Sequence, residues 1–221
     1  MDEISSCVTE LLLKYTSNDL EKMYTETKST NFLDNPDVIK WIKGDTSFLP
    51  SGTKIQKKKY EDSWGLSLLK SKKLTVKNNG QWTGPFGEEL CKEAFQLLGK
   101  SPKKPCKKIN EKNKVLKPDI ETDDYIIEVK NGAYFTYGTA HEKIPAVPSK
   151  YAAVPELYNK PLRIVCVGYA EIWAREDGIL PGLVISKHTQ ADLLNWKTKQ
   201  IEYMAFTDLI QELHSQGIPG F

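Results

Sequence analysis

The run Leu162-Arg163-Ile164-Val165-Cys166-Val167-Gly168 constrains this chain most, because Arg163 is its only polar side chain. Near-continuous apolarity over seven residues marks a strand buried on both faces. The chain must therefore supply a layer above that strand and another below it. A second run, Tyr125-Ile126-Ile127-Glu128-Val129-Lys130, also reads as a strand through its Ile, Ile and Val. Residues 139–158 hold helix-like pieces broken by Pro145, Pro148 and Pro155. A crossover through helices makes the two flanking strands parallel neighbours. Before them, residues 88–99 start with Glu88 and Glu89, carry an apolar stripe of Leu90, Ala94, Leu97 and Leu98, and stop at Gly99. Residues 201–213 read as a closing helix. The expected class is α/β, with a central mixed sheet flanked by helices.

Alternation along residues 125–130 puts Tyr125, Ile127 and Val129 on one face, and Ile126, Glu128 and Lys130 on the other. The first face can enter a core, while the second presents an acid and a base ~7 Å apart along the strand. Residues 115–120 and 125–130, joined by the polar turn Glu121-Thr122-Asp123-Asp124, have the signature of a hairpin. If Asp119 ends the neighbouring strand, two carboxylates converge on one point, as a hard divalent cation requires. The adjacent lysine is the group a metal-assisted hydrolase would use against a phosphate.

The region at 1–80 reads as mainly helical and that at 81–221 as the core domain. In the first, residues 4–14 have helical spacing (Ile4, Val8, Leu11, Leu12), and a helix near 37–43 has Pro36 at its first turn. Residues 45–53 read as a loop, 60–70 as a short element, and Asn78-Asn79-Gly80 as a turn.

At 39% hydrophobic and 27% charged, the composition is that of an ordinary globular chain. No apolar run is long enough to cross a bilayer, and the acidic start Met1-Asp2-Glu3-Ile4 lacks the regions of a signal peptide. A cytoplasmic location and no membrane partner are expected. Cys7, Cys91, Cys106 and Cys166 are too scattered for a zinc site or a disulfide framework, and are expected to be reduced and mostly buried. The net charge of +2 hides segregation. Lys54, Lys57, Lys58 and Lys59 form one basic cluster, and Lys100 through Lys117 carry another. Such patches suit a polyanion. Lysines in solvated loops give the same pattern, so charge alone decides nothing.

Pro118-Asp119, eight intervening residues and Glu128-Val129-Lys130 together resemble the active-site signature of the PD-(D/E)xK nuclease superfamily. The resemblance spans residues 82–175, including the preceding helix and the following crossover and strand, and it implies a restriction-endonuclease-like core. It further implies that Asp119 and Glu128 hold Mg²⁺, with the Val129 carbonyl also pointing at the ion, and that Lys130 acts on the attacking water and the phosphate. Members often add a carboxylate from the preceding helix; Glu88 is the candidate here and Glu89 the fallback. The structural alternative is a polar strand face with a surface Glu–Lys pair.

Residues 131–144 mix amides, hydroxyls, aromatics and cations, and resemble DNA-contacting segments of restriction endonucleases. Asn131, Tyr134, Tyr137, Thr139, His141 and Lys143 are candidate donors to phosphates or base edges, beside Lys57, Lys58 and Lys59. Either tyrosine could equally be core. Glu171 reads as a strand-end surface acid. The expected activity is a Mg²⁺-dependent, type II restriction-like endonuclease. It would cut double-stranded DNA at a short palindrome, leave 5′-phosphates and work as a homodimer. The rivals are a structure-specific repair or recombination nuclease and a non-catalytic DNA-binding module. A small-molecule phosphohydrolase is disfavoured, because no GxxxxGK[ST] loop is present.

Overall fold

In the computed structural model, the strand at Leu162–Gly168 lies inside a four-stranded mixed sheet. The structure describes residues 31–76, 80–136, 143–182 and 187–218. The expected helix at 4–14, residues 78 and 79 of the expected turn, and Cys7, Tyr137, Thr139 and His141 lie outside them. Contacts divide the chain into Met1–Thr30 and Asn31–Phe221, and every described residue belongs to the second unit.

A 3₁₀ turn at Phe32–Asp34 leads into α1 (Pro36–Ile42), α2 (Lys54–Ser71) and α3 (Thr83–Leu97). The small strands β1 (Lys108–Ile109) and β2 (Val115–Leu116) pair with each other. Next come β3 (Ile120–Glu121), β4 (Ile126–Gly132), α4 (Val147–Lys150), α5 (Val154–Tyr158) and β5 (Leu162–Gly168). The chain closes with α6 (Tyr169–Glu176), α7 (Lys187–Thr198), β6 (Ile201–Ala205) and α8 (Phe206–Ser215). The sheet order is β3-β4-β5-β6, antiparallel between β3 and β4 and parallel across the other two pairs. The fold class is thus α/β, a mixed sheet flanked by helices, with eight α-helices among the described residues.

Both faces of β5 are covered. Val165 and Val167 pack with α1, α2, α3 and α8 through Trp41, Leu69, Phe86, Leu90 and Phe206. Ile164 packs on the opposite face with Val147, Tyr151, Val154 and Tyr158 of the crossover. Apolar surface removed from water in these layers, at ~25 cal/mol per Å², makes the sheet a rigid platform. Residues 31–76 share that platform: Trp41 contacts Trp64, Trp82, Phe86 and Tyr134 at ring-centroid distances of 5.4 to 6.0 Å.

Several boundaries differ from the sequence reading. Helix α2 starts at Lys54 rather than near 60, because Thr53 and Gln56 form a capping box. Helix α3 starts at Thr83, with Pro85 in its first turn. Pro148 and Pro155 begin helices rather than break them. The first five residues of the expected closing helix are the edge strand β6, in parallel register with β5 from Leu162↔Ile201 to Cys166↔Ala205. The expected hairpin arm at 115–120 is split: β2 turns away to β1, and only Ile120–Glu121 pairs with β4. Cys91 and Cys166 are buried, whereas Cys106 is exposed.

Candidate active site

Asp119 sits where the split arm bends. Its main-chain N–H donates to the Ile127 carbonyl at 3.0 Å, and its Oδ2 accepts the Val129 N–H at 2.8 Å. The two bonds flank Glu128. Tyr125, Ile127 and Val129 pack toward α3, while Ile126 joins the crossover cluster, so Glu128 and Lys130 share the crossover face. Lys130 folds back along the strand, placing Nζ 2.5 Å from Glu128 Oε1 and 3.3 Å from the Val129 carbonyl.

Glu128 is only 4% exposed, and its Oε2 is buried without a hydrogen-bond partner among the described residues. Burial, and then the nearby Asp119 carboxylate, push the Glu128 carboxyl above its ordinary range; Lys130 and the Tyr151 hydroxyl oppose that push. Tyr151 is itself raised, by burial and by Glu128. Its hydroxyl lies beside the Glu128 carboxylate and interacts with it. It donates to the Lys117 carbonyl at 3.4 Å and accepts from Lys150 Nζ at 3.0 Å. Oε2 itself makes no hydrogen bond among the described residues.

An unpartnered oxygen beside a second carboxylate and a main-chain carbonyl is a donor set that fits Mg²⁺, a hard cation that keeps several waters. Asp119, Glu128 and the Val129 carbonyl are the residues that would hold it. Among the described residues no three or more His, Cys, Asp or Glu side chains are grouped closely enough to hold a metal. The expected third ligand is therefore not in place: Glu88 has its carboxylate 3.8 Å from Lys104 Nζ. The fallback Glu89 is paired with Lys72 at 3.1 Å and Lys92 at 3.4 Å. The physical reason lies in α3, whose sheet-facing stripe is Phe86, Gly87, Leu90, Cys91 and Ala94. Both glutamates stand on its flanks.

A cleft of about 930 Å³ borders this site and is lined by Val129, Lys130, Asn131, Lys58, Lys143 and Trp173, among others. Neither Asp119 nor Glu128 is part of its wall, so Lys130 is the member of the trio that reaches it. Lys58 is paired with Asp62 at 2.5 Å, Lys57 lies 5.5 Å from the Phe135 ring centroid, and Lys59 is exposed. The Asn131 amide donates to the Thr83 carbonyl at 2.8 Å, locking β4 to the start of α3. Gly87 permits this contact, since a Cβ there would come within 2.8 Å of the Asn131 Cβ. Tyr134 donates its hydroxyl to the Trp41 carbonyl at 2.8 Å and meets the Trp41 and Tyr169 rings edge to face. It is partly buried against the core, with its hydroxyl committed to the main chain.

Two important residues, Glu61 and Tyr151, escaped the sequence reading, and Glu171 differs from it. Glu61 on α2 is fully buried and accepts Trp41 Nε1 at 2.8 Å, Tyr134 N at 2.9 Å and Phe135 N at 3.1 Å, clamping the segment that leaves β4. Burial raises its carboxyl, and these three donors oppose the rise. Tyr151 gave no signal beyond its position in the crossover. Glu171 is not a surface acid but a buried helical one; it binds Thr207 N at 3.0 Å and Arg175 Nε at 3.1 Å, joining α6 to α8. Arg175 four residues on was its available sign.

Compared with protein-family models, with curated proteins and with solved structures, the chain matches none.

Proposed function

We propose that this chain is a Mg²⁺-dependent endonuclease with a restriction-endonuclease-like core, acting on double-stranded DNA. The observation that carries this reading is the buried, unpartnered Glu128 Oε2 set between Asp119 and the Lys130 ammonium. A structural Glu–Lys pair would have no reason to leave one carboxylate oxygen buried and unmatched, since that costs on the order of 1–3 kcal/mol. The resemblance to the PD-(D/E)xK signature and the helix-crossover-strand order support the same reading.

Asp119 and Glu128 supply fixed anionic oxygens, oriented respectively by the Val129 N–H and by burial. Bound Mg²⁺ would supply a water of lowered pKa and neutralise phosphate charge. Lys130, 23% exposed at its side chain and bordering the cleft, exchanges Glu128 for the scissile phosphate. There it stabilises the charge that builds on the phosphoryl oxygens. Lys58, Lys59 and Lys143 contribute to backbone attraction. A homodimer cutting a palindrome to leave 5′-phosphates completes the proposal.

Incubating plasmid DNA with the full chain and Mg²⁺, then sequencing the ends, tests it. Discrete fragments sharing one short sequence are expected. Random nicks or cuts confined to junctions would point to a structure-specific nuclease, and binding without cleavage to a non-catalytic module.

A further inference from the structure

We infer that Lys150 is a second phosphate-contacting cation of this site, with Tyr151 as its positioning residue; the inference rests on the nuclease reading above. Lys150 ends α4 in the crossover between β4 and β5, and it is absent from the cleft wall that Lys130 borders. Its Nζ reaches the carboxylates through Tyr151, whose hydroxyl lies 3.0 Å away and itself neighbours Glu128 and Asp119. Its Nζ is fixed by one side chain in two ways, 3.0 Å from the Tyr151 hydroxyl and 4.5 Å from the Tyr151 ring centroid.

Three lysines around the sheet are matched by acids. Lys160 pairs with Glu121 at 2.8 Å, Lys100 with Asp124 at 2.6 Å and Lys130 with Glu128 at 2.5 Å. Lys150 is exposed, and among the described residues it has no carboxylate within ion-pair reach. An ammonium has three protons to donate, and only one is directed at Tyr151. The other two are available to an anion arriving beside Glu128.

Tyr151, 3% exposed, donates its hydroxyl to the Lys117 carbonyl, two residues before Asp119. The phenol thus ties the cation to the bend that carries Asp119. Asp119 and Glu128 bring two negative charges against the single positive charge of Lys130. A second lysine balances them and leaves the site able to receive a phosphodiester, as a point charge suited to phosphate.

The test uses the full chain and one DNA duplex, comparing Lys150→Ala, Lys150→Arg and Tyr151→Phe with the wild type. Binding is followed against salt in metal-free buffer, and cleavage in Mg²⁺ is resolved into kcat and KM. Lys150→Ala should lower the magnitude of the salt slope by about 0.9, the value of one phosphate contact. It should raise KM about tenfold, as loss of one charge-assisted hydrogen bond implies. Lys150→Arg should restore most of both, and Tyr151→Phe should fall between. A Lys150→Ala variant with the wild-type slope and KM would overturn the inference. Should the wild type cleave nothing while Lys150→Ala still lowers the salt slope, the nuclease reading fails and the phosphate contact stands.

Discussion

The carboxylate of Asp119 accepts the main-chain N–H of Val129 at 2.8 Å, ten residues further along the chain. This side-chain bond stands where the ladder between β3 and β4 would otherwise continue, and it commits Oδ2 to the backbone. Oδ1 is the oxygen left for a ligand. Asp119 is thereby held against Glu128 by the strand itself, and neither depends on a flexible rotamer to meet the other.

Lys130→Ala should abolish cleavage while leaving the fold intact, because the side chain is only partly buried. A loss of about 10²–10⁴ in single-turnover rate is expected for a group that acts in proton transfer or charge stabilisation. Duplex binding in metal-free buffer should persist. Retention of the full rate would remove Lys130 from the chemistry.

Glu128→Gln should separate stability from activity. With the folded carboxyl raised by burial and Asp119, the folded state holds this proton to higher pH than the unfolded chain does. The stability tied to Glu128 is therefore fully present below the ordinary carboxyl value of ~4.3 and is lost as pH rises through the raised one. In metal-free buffer at pH 8, the glutamine variant should melt about 2–4 °C above the wild type, the shift that ~1 kcal/mol gives in a domain of this size. The difference should vanish toward pH 4. Calorimetric melting across pH 4 to 8 measures it, and a variant less stable at every pH would contradict the reading.

Glu61→Ala should be the costlier change for folding. It strands three buried N–H donors, those of Trp41 Nε1, Tyr134 and Phe135. A loss of about 3 kcal/mol in urea unfolding is expected. Hydrogen exchange at the Tyr134 and Phe135 amides should accelerate well beyond that of β5.

Lys59→Ala and Lys143→Ala should each weaken duplex binding evenly across DNA sequences. Each should lower the magnitude of the salt slope by about 0.9. Lys58, engaged with Asp62, should contribute less. An unchanged slope for Lys143→Ala would leave the cleft wall it lines without a role in holding DNA.

Strand β5, strand β4 and their parallel pairing were legible because burial on both faces leaves an uninterrupted apolar run, and a helical crossover leaves one handed solution. The placement of Glu128 and Lys130 on one face of β4 was legible for a related reason: a charged pair alternating with Ile and Val stands out on a strand. Helix α2 was read too short because Lys54, Gln56, Lys57 and Lys58 show no apolar stripe, and its start depends on the Thr53–Gln56 cap. Strand β6 reads as helix in the sequence because Ile201 and Ala205 also match helical spacing, and only pairing with β5 decides between them. Glu88 was misplaced because its angle around α3 depends on which side chains the sheet selects. Glu61 and Tyr151 were invisible for the same reason. Their partners are main-chain groups and a carboxylate 73, 74 and 23 positions away, brought close only by packing.

The most direct measurement is cleavage of supercoiled plasmid by the purified full chain in Mg²⁺, run beside Glu128→Ala and an EDTA control. Cleavage by the wild type in Mg²⁺ alone, with the variant slower by about 10³ or more, is the expected result. Equal rates from wild type and variant, or intact plasmid with both, would contradict a metal-assisted phosphodiesterase centred on Asp119, Glu128 and Lys130.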